Sequence, residues 1–193
     1  MGKKLFSGAL VCLALLLSFS ACNNDEKKVV ETPKLEAADV FPADSFAFYE
    51  NVLAKDSLNT QLHLALATNY YAEKQFDKAI EHLTKVCSLE KENLEAIIIL
   101  GNVFYDATQY ENAIVYYEKA LVLDAKDLNV RCDLATCYLN IKKTDKAFAL
   151  LKKNLEMDSK HAQSHHNLSV VYKEMGKTKE SDEEMKIFNS LNK

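Results

Sequence analysis

Residues 94–127 read LEAIIILGNVFYDATQYENAIVYYEKALVLDAKD, and the fold follows from how this stretch is spaced. Leu100 and Phe104 stand four apart, as do Ala113 and Tyr117, with Ala120 three further on. Each half therefore sets apolar residues on one face of a helix. A small residue at Ala113 lets the two helices approach closely, and the aromatic Phe104 fills the space beside it. The polar pair Thr108-Gln109 between the halves reads as the turn of a helical hairpin.

The same columns recur at a period of 34 residues in both directions. Leu66, Leu100, Leu134 and Leu168 form one column, and the small residues Ala67, Gly101, Ala135 and Ser169 follow one place on. Tyr70, Phe104, Tyr138 and Tyr172 form the aromatic column, Ala79, Ala113, Ala147 and Ser181 the second small one, and Leu89, Leu123, Met157 and Leu191 close each unit. A lone hairpin of this kind cannot bury both of its faces, so neighbouring copies must stack to make a core. Four units result, at 60–93, 94–127, 128–161 and 162–193. Carried back one period, Ser45, Tyr49 and Val52 fall in the columns of Ala79, Leu83 and Val86. The region 43–59 is thus expected to hold an amino-terminal capping helix, Ala43 to Lys55, that lacks a first partner. At the other end, Thr178 to Asn192 keeps Ser181, Met185, Phe188 and Leu191 on one face and charged residues on the other, as a carboxy-terminal cap should.

Composition agrees. The 193 residues are 48% apolar, with no Trp, four Gly and two Pro, and past Pro42 the only glycines are Gly101 and Gly176. All-β folds and parallel α/β folds use glycine- and proline-rich turns, so an all-α chain is expected. Collagen-like, disulfide-framework and fully disordered classes fail on the same numbers. A formal charge of −4 gives no basic footprint for nucleic acid.

The small–large–small–aromatic arrangement resembles the tetratricopeptide repeat. That resemblance implies an all-α, right-handed α-solenoid of about four hairpins with flanking capping helices. Two departures from the family pattern stand out. The family proline near each repeat end is replaced by Lys91, Ala125 and Ser159, and the large apolar residue that opens the first helix is His63, Ile97, Arg131 or His165.

The amino terminus is of another kind. Lys3 and Lys4 precede an apolar run, Leu5 to Ala21, that ends in small residues before Cys22, the pattern of a secretory signal. Ser20-Ala21-Cys22 resembles the lipobox of bacterial lipoproteins, which implies a signal peptide at 1–21 and lipid attachment at Cys22. Ordinary secretion and an uncleaved anchor are the rivals. Removing Lys3 and Lys4 with the signal takes the charge from −4 to −6. Residues 22–42 are charged and lack apolar periodicity, so a flexible tether is expected there. Asn23 is not the Asp that retains many such lipoproteins in the inner membrane, which favours the outer membrane with either leaflet open.

No catalytic constellation is present. There is no GxxxxGK[ST] loop, GxGxxG turn or GxSxG elbow, and neither a catalytic residue, a cofactor nor a metal is expected. His161 and His165 have i, i+4 spacing, but His161 falls at a repeat junction, so packing is the expected role. Cys87, Cys132 and Cys137 read as free, mostly buried small hydrophobes.

By resemblance, the first helix of each hairpin lines a concave groove where extended peptides or partner helices bind. The expected groove residues are Leu64, Thr68 and Tyr71 in the first repeat, and Ile98, Ile99, Asn102 and Tyr105 in the second. The third supplies Asn129, Asp133 and Thr136, and the fourth Gln163, His166 and Asn167. Leu64, Ile98, Ile99 and the two tyrosines would make an apolar-aromatic patch for anchoring a partner. Leu64, Thr68, Ile99, Asn129 and Asp133 fall where the family's carboxylate clamp needs Lys, Asn and Arg, which disfavours a chaperone-tail ligand. The expected role is a lipid-anchored envelope adaptor for a protein or peptide partner, with no nucleic acid and no small-molecule substrate. The alternative is a self-assembling structural lipoprotein, or a groove covered by helix 43–55.

Overall fold

A computed structural model describes residues 46–192. The signal at 1–21, Cys22, the tether at 22–42 and residues 43–45 of the expected capping helix lie outside the described residues. The described residues belong to a unit spanning Lys34–Lys193. They form nine α-helices and no strand: α1 Phe46–Leu53, α2 Thr60–Ala72, α3 Phe76–Leu89, α4 Leu94–Asp106, α5 Tyr110–Leu123, α6 Leu128–Asn140, α7 Thr144–Met157, α8 Ala162–Glu174 and α9 Thr178–Leu191. The helices pair as α2/α3, α4/α5, α6/α7 and α8/α9, and each pair packs on the next, giving a helical solenoid.

The start of each pair follows one residue column. Asn59, Asn93 and Asp127, each 34 residues apart, cap α2, α4 and α6, their side-chain oxygens accepting from the backbone N–H of Leu62, Ala96 and Val130. These caps satisfy amides that a helix start leaves open. The fourth member, His161, makes no such bond to its helix.

The turns inside the hairpins repeat just as strictly. Lys74, Thr108, Lys142 and Gly176 take φ of 58°, 59°, 61° and 74°. In each turn, the N–H of the left-handed residue bonds a carbonyl three residues back, and the next N–H bonds one five residues back; Lys74 to Tyr71 and Gln75 to Tyr70 are the first instance. This double closure consumes carbonyls that a helix end otherwise orphans. The next residue, Gln75, Gln109, Lys143 or Lys177, then opens the second helix, its carbonyl accepting from Ala79, Ala113, Ala147 or Ser181. Only three residues, 73–75 in the first hairpin, separate one helix from the next.

Close helix approach accounts for the small columns. A Cβ on Gly101 would lie 2.7 Å from Tyr117 Cε1. The Tyr117 column holds Leu83 and Leu151 in the first and third repeats, where the Gly101 column is Ala67 and Ala135. The larger ring therefore goes with the smaller partner. Leu66, Ala79, Leu83, Leu100, Ala113, Leu151 and Leu168 are fully buried, so the core runs through the solenoid along these columns.

The two departures from the family pattern meet in space. The His63 ring Nε2 lies 3.3 Å from the Ser57 carbonyl oxygen, and the His165 Nε2 lies 3.0 Å from that of Ser159. The Arg131 guanidinium donates to the Ala125 carbonyl. Ser57, Ala125 and Ser159 occupy the column of the missing proline, so the polar residue at each helix opening ties down the turn that proline would have stiffened. In the second repeat the opening residue is Ile97, buried without a polar tie.

Beyond Leu53, where α1 ends, Ala54, Lys55 and Asp56 bond back onto its last turn. Glu50 Oε1 accepts from the Tyr70 hydroxyl at 2.8 Å, and Glu118 of α5 accepts from Tyr138 at 2.6 Å. Both pairs are 20 residues apart, so α1 rests on α2 as α5 rests on α6. Phe46 also meets the Tyr70 ring, with centroids 4.6 Å apart. These are not groove residues, so α1 touches the first repeat on another side.

Candidate functional site

The first helices α2, α4, α6 and α8 share one recess of about 400 Å³, into which α5 also reaches. Tyr71, Asn102, Tyr105, Asp133, Thr136, Gln163 and Asn167 line it, seven of the residues that the family resemblance implied for the groove. Two further residues, Asp106 and Tyr117, line it as well. Asp106 ends α4 directly after Tyr105, so continuing the column by one place finds it. Tyr117 sits in a core column of the second helix. It is 2% exposed, yet its hydroxyl emerges between helices to donate to Asn102 Oδ1 at 2.7 Å.

The lining is held by its own bonds. Tyr71 donates to Asp106 Oδ2 at 2.6 Å, tying the first repeat to the second. The Asn167 amide donates to Thr136 Oγ1 at 3.3 Å, and its carbonyl oxygen accepts from Gln163 at 2.8 Å. Thr136 in turn donates to the Cys132 carbonyl one helical turn earlier at 2.9 Å. Amides and hydroxyls fixed this way keep their orientation before any ligand arrives.

Electrostatics single out Asp133. Its side chain reaches solvent, yet the surrounding walls displace water, and this desolvation, with Asp127 second, pushes its carboxyl up to about 6. Burial also raises the phenols of Tyr71, Tyr105 and Tyr117; the Asp106 contact adds to the first, and the Asp133 charge to the last. Among the described residues, no cation forms an ion pair with Asp106 or Asp133.

The other expected groove residues lie elsewhere. Leu64 is buried at 8% exposure, and Ile98 and Ile99 are half-buried against the core. Aliphatic side chains near helix–helix contacts lower their free energy by leaving water. The recess is accordingly polar and aromatic where an apolar patch was expected. Thr68 lines an adjoining recess of about 750 Å³ with Tyr71, Lys74, Phe76 and Asp106. Asn129 is exposed and meets the His161 ring at 3.2 Å, while His166 lies against the Phe188 ring with centroids 5.0 Å apart.

Behind the groove, the third and fourth repeats share a buried polar cluster. Arg131, 3% exposed, donates to Asn154 Oδ1 at 2.7 Å, and Asn154 donates to the Leu128 carbonyl at 2.8 Å and to Ser164 Oγ at 3.0 Å. The guanidinium lies against the carboxy-terminal ends of α5 and α7, where helix dipoles favour a positive charge. Cys132 and Cys137 are buried free thiols, and Cys87 is half-buried. Among the described residues no group of His, Cys, Asp and Glu is placed to hold a metal, and no helix is long and apolar enough to cross a membrane.

Comparison with known proteins bears on this architecture. No curated protein sequence matches the chain. Among solved structures, one of MamA is 23% identical, covers 75% of this chain and 84% of its own, and superposes with a TM-score of 0.69. A MamA RS-1 double mutant is 15% identical over 77% of this chain and 84% of its own, with a TM-score of 0.70. YrrB, described as a TPR protein with an unusual peptide-binding site, is 23% identical over 75% of each chain, with a TM-score of 0.66. At such identities the likeness is one of fold. Family patterns match too: Tetratricopeptide repeat over residues 60–93, and Tetratricopeptide repeat protein 21 forth ARM domain over residues 97–193. With half the chain under one of these patterns, and with its helix pairs, caps and turns all repeating every 34 residues, the chain belongs to the tetratricopeptide-repeat family.

Proposed function

We propose that the protein is a lipid-anchored adaptor of the cell envelope, which holds a protein or peptide partner in the recess shared by its first helices and acts by binding alone. The observation that carries this reading is the recess itself. Four helices from four repeats supply side chains to one cavity, and those side chains are held by bonds to one another. YrrB, of the same fold, is described as having a peptide-binding site. The anchor rests on the lipobox resemblance at Ser20-Ala21-Cys22, and the outer membrane on Asn23.

Two measurements test the reading. A photo-crosslinking amino acid at Tyr105 should capture a discrete partner in cells, and one at Val115, which is 60% exposed on α5, should not. The same products from both positions would refute the groove. Separately, Cys22→Ser should move the protein from the membrane fraction to the soluble one and abolish labelling by a fatty-acid analogue; unchanged fractionation would refute the anchor. A self-assembling structural lipoprotein remains the second reading, favoured by Val115 and Val122, seven residues apart on α5 and 60% and 83% exposed. Sedimentation of the chain at high concentration separates the two, since a pure monomer excludes self-assembly.

A further inference from the structure

We propose that the recess accepts a lysine or arginine side chain from an extended segment of the partner; this rests on the groove reading above and names the chemistry the groove selects. Asp106 at the end of α4 and Asp133 on α6 both line the cavity, with Tyr71, Tyr105 and the hydroxyl of the buried Tyr117. No lysine, arginine or histidine is among its lining residues. Lys74 shares the adjoining recess with Asp106 but forms no ion pair with it, so the two carboxylates leave a negative field in this cavity, which low-dielectric walls concentrate. The ion pairs among the described residues lie elsewhere, at Glu50, Glu174 and Glu184.

Asp106 is aimed by its bond from the Tyr71 hydroxyl, whereas Asp133 has no such partner among the described residues, which leaves its charge to water. An incoming ammonium or guanidinium would supply that charge. Tyrosine rings attract cations through their quadrupole, so Tyr71 and Tyr105 add to the same preference. The size agrees: about 400 Å³ is near the lower end of ligand clefts, enough for one long side chain and too small for a docked helix. An acidic anchor would meet two like charges, and an aliphatic one would strip water from both carboxylates without replacing it.

The test selects random dodecapeptides displayed on phage against the full-length chain held in mild detergent. The expected result is enrichment of sequences with a lysine or arginine whose replacement by glutamine weakens the synthetic peptide about tenfold or more. Asp133→Asn in the protein should weaken it to a similar degree with the thermal midpoint unchanged, while Asp182→Asn on α9 should have no effect. Equal losses from Asp133→Asn and Asp182→Asn would show a diffuse charge effect and overturn the inference. Peptides that lose binding with Tyr105→Ala but tolerate replacement of every basic residue would overturn it and leave the groove standing. Peptides indifferent to Tyr105→Ala, or no enrichment at all, would overturn both.

Discussion

Thr108 turns its hairpin with φ at 59°, and Gly176 does the same with 74° in the last repeat. A left-handed conformation costs an L-residue about 1–2 kcal/mol, and most for a β-branched one. Glycine removes that cost while adding about 0.4–1 kcal/mol of unfolded-chain entropy. Thr108→Gly should therefore stabilise the chain by roughly 0.5–1 kcal/mol in chemical denaturation, and Gly176→Ala should destabilise it by about as much. No atom lies within 4 Å of a Cβ built at Gly176, so its cost is one of backbone alone. Gly101 is the opposite case. Gly101→Ala should lose about 1–3 kcal/mol because Tyr117 is buried and cannot swing away. Adding Tyr117→Leu, the pairing used by the first and third repeats, should cost less than the two changes summed. The turn geometry was legible in sequence only at Gly176, because Lys74, Thr108 and Lys142 advertise nothing of their φ.

Among the helices, α1 depends on a chain of polar contacts. His63 Nε2 faces the Ser57 carbonyl, so its Nδ1 is left to accept from His82 Nδ1 at 2.9 Å, and His82 Nε2 faces Glu50 at 3.1 Å. Burial holds the His63 imidazole below its ordinary value, and His82 and Lys85 add to the depression while the Ser57 carbonyl and Glu50 oppose it. A histidine depressed in the folded state contributes stability that is complete above about pH 6.5 and is lost as pH falls below it. The thermal midpoint should thus drop between pH 7.5 and 5. His63→Ile with His82→Tyr transplants the Ile97 and Tyr116 of the second repeat and should flatten part of that drop. The stacking survives the exchange, since Tyr70 lies on His82 at 5.5 Å much as Phe104 lies on Tyr116 at 5.4 Å. An equally steep pH dependence in the double variant would show that His63 is not its source. Here the sequence showed the polar residues at the helix openings but not their purpose, because their partners are turn carbonyls six residues back that carry no side-chain signature.

Taken whole, the array is one continuous core cut at regular intervals, and Ala113 lies at its centre with no exposed surface. Ala113→Asp would bury an unpaired charge where α4 and α5 touch, which costs several kcal/mol. In a linear array each repeat is supported by its neighbours, so the loss should break cooperative unfolding into separate transitions, visible by calorimetry. The solenoid was legible in the sequence because apolar columns record helix packing directly. The recess was legible only in part: the family resemblance implied Tyr71, Asn102, Tyr105, Asp133, Thr136, Gln163 and Asn167 for the groove, but could not say that Leu64 turns inward or that Tyr117 reaches the cavity from behind. Hairpin turns and repeat junctions alike are closed by backbone bonds, so the junctions differ from one another chiefly in their side-chain ties. At the first junction the side-chain tie from Tyr71 to Asp106 stands in solvent, where water competes for it. At the third, Asn154 and Cys132 reach Ser164 inside the protein, beyond water's reach. The buried ties at the third junction are thus harder for water to break than the exposed one at the first, so a ligand that draws the walls together would meet less resistance from side-chain bonds at the amino-terminal end.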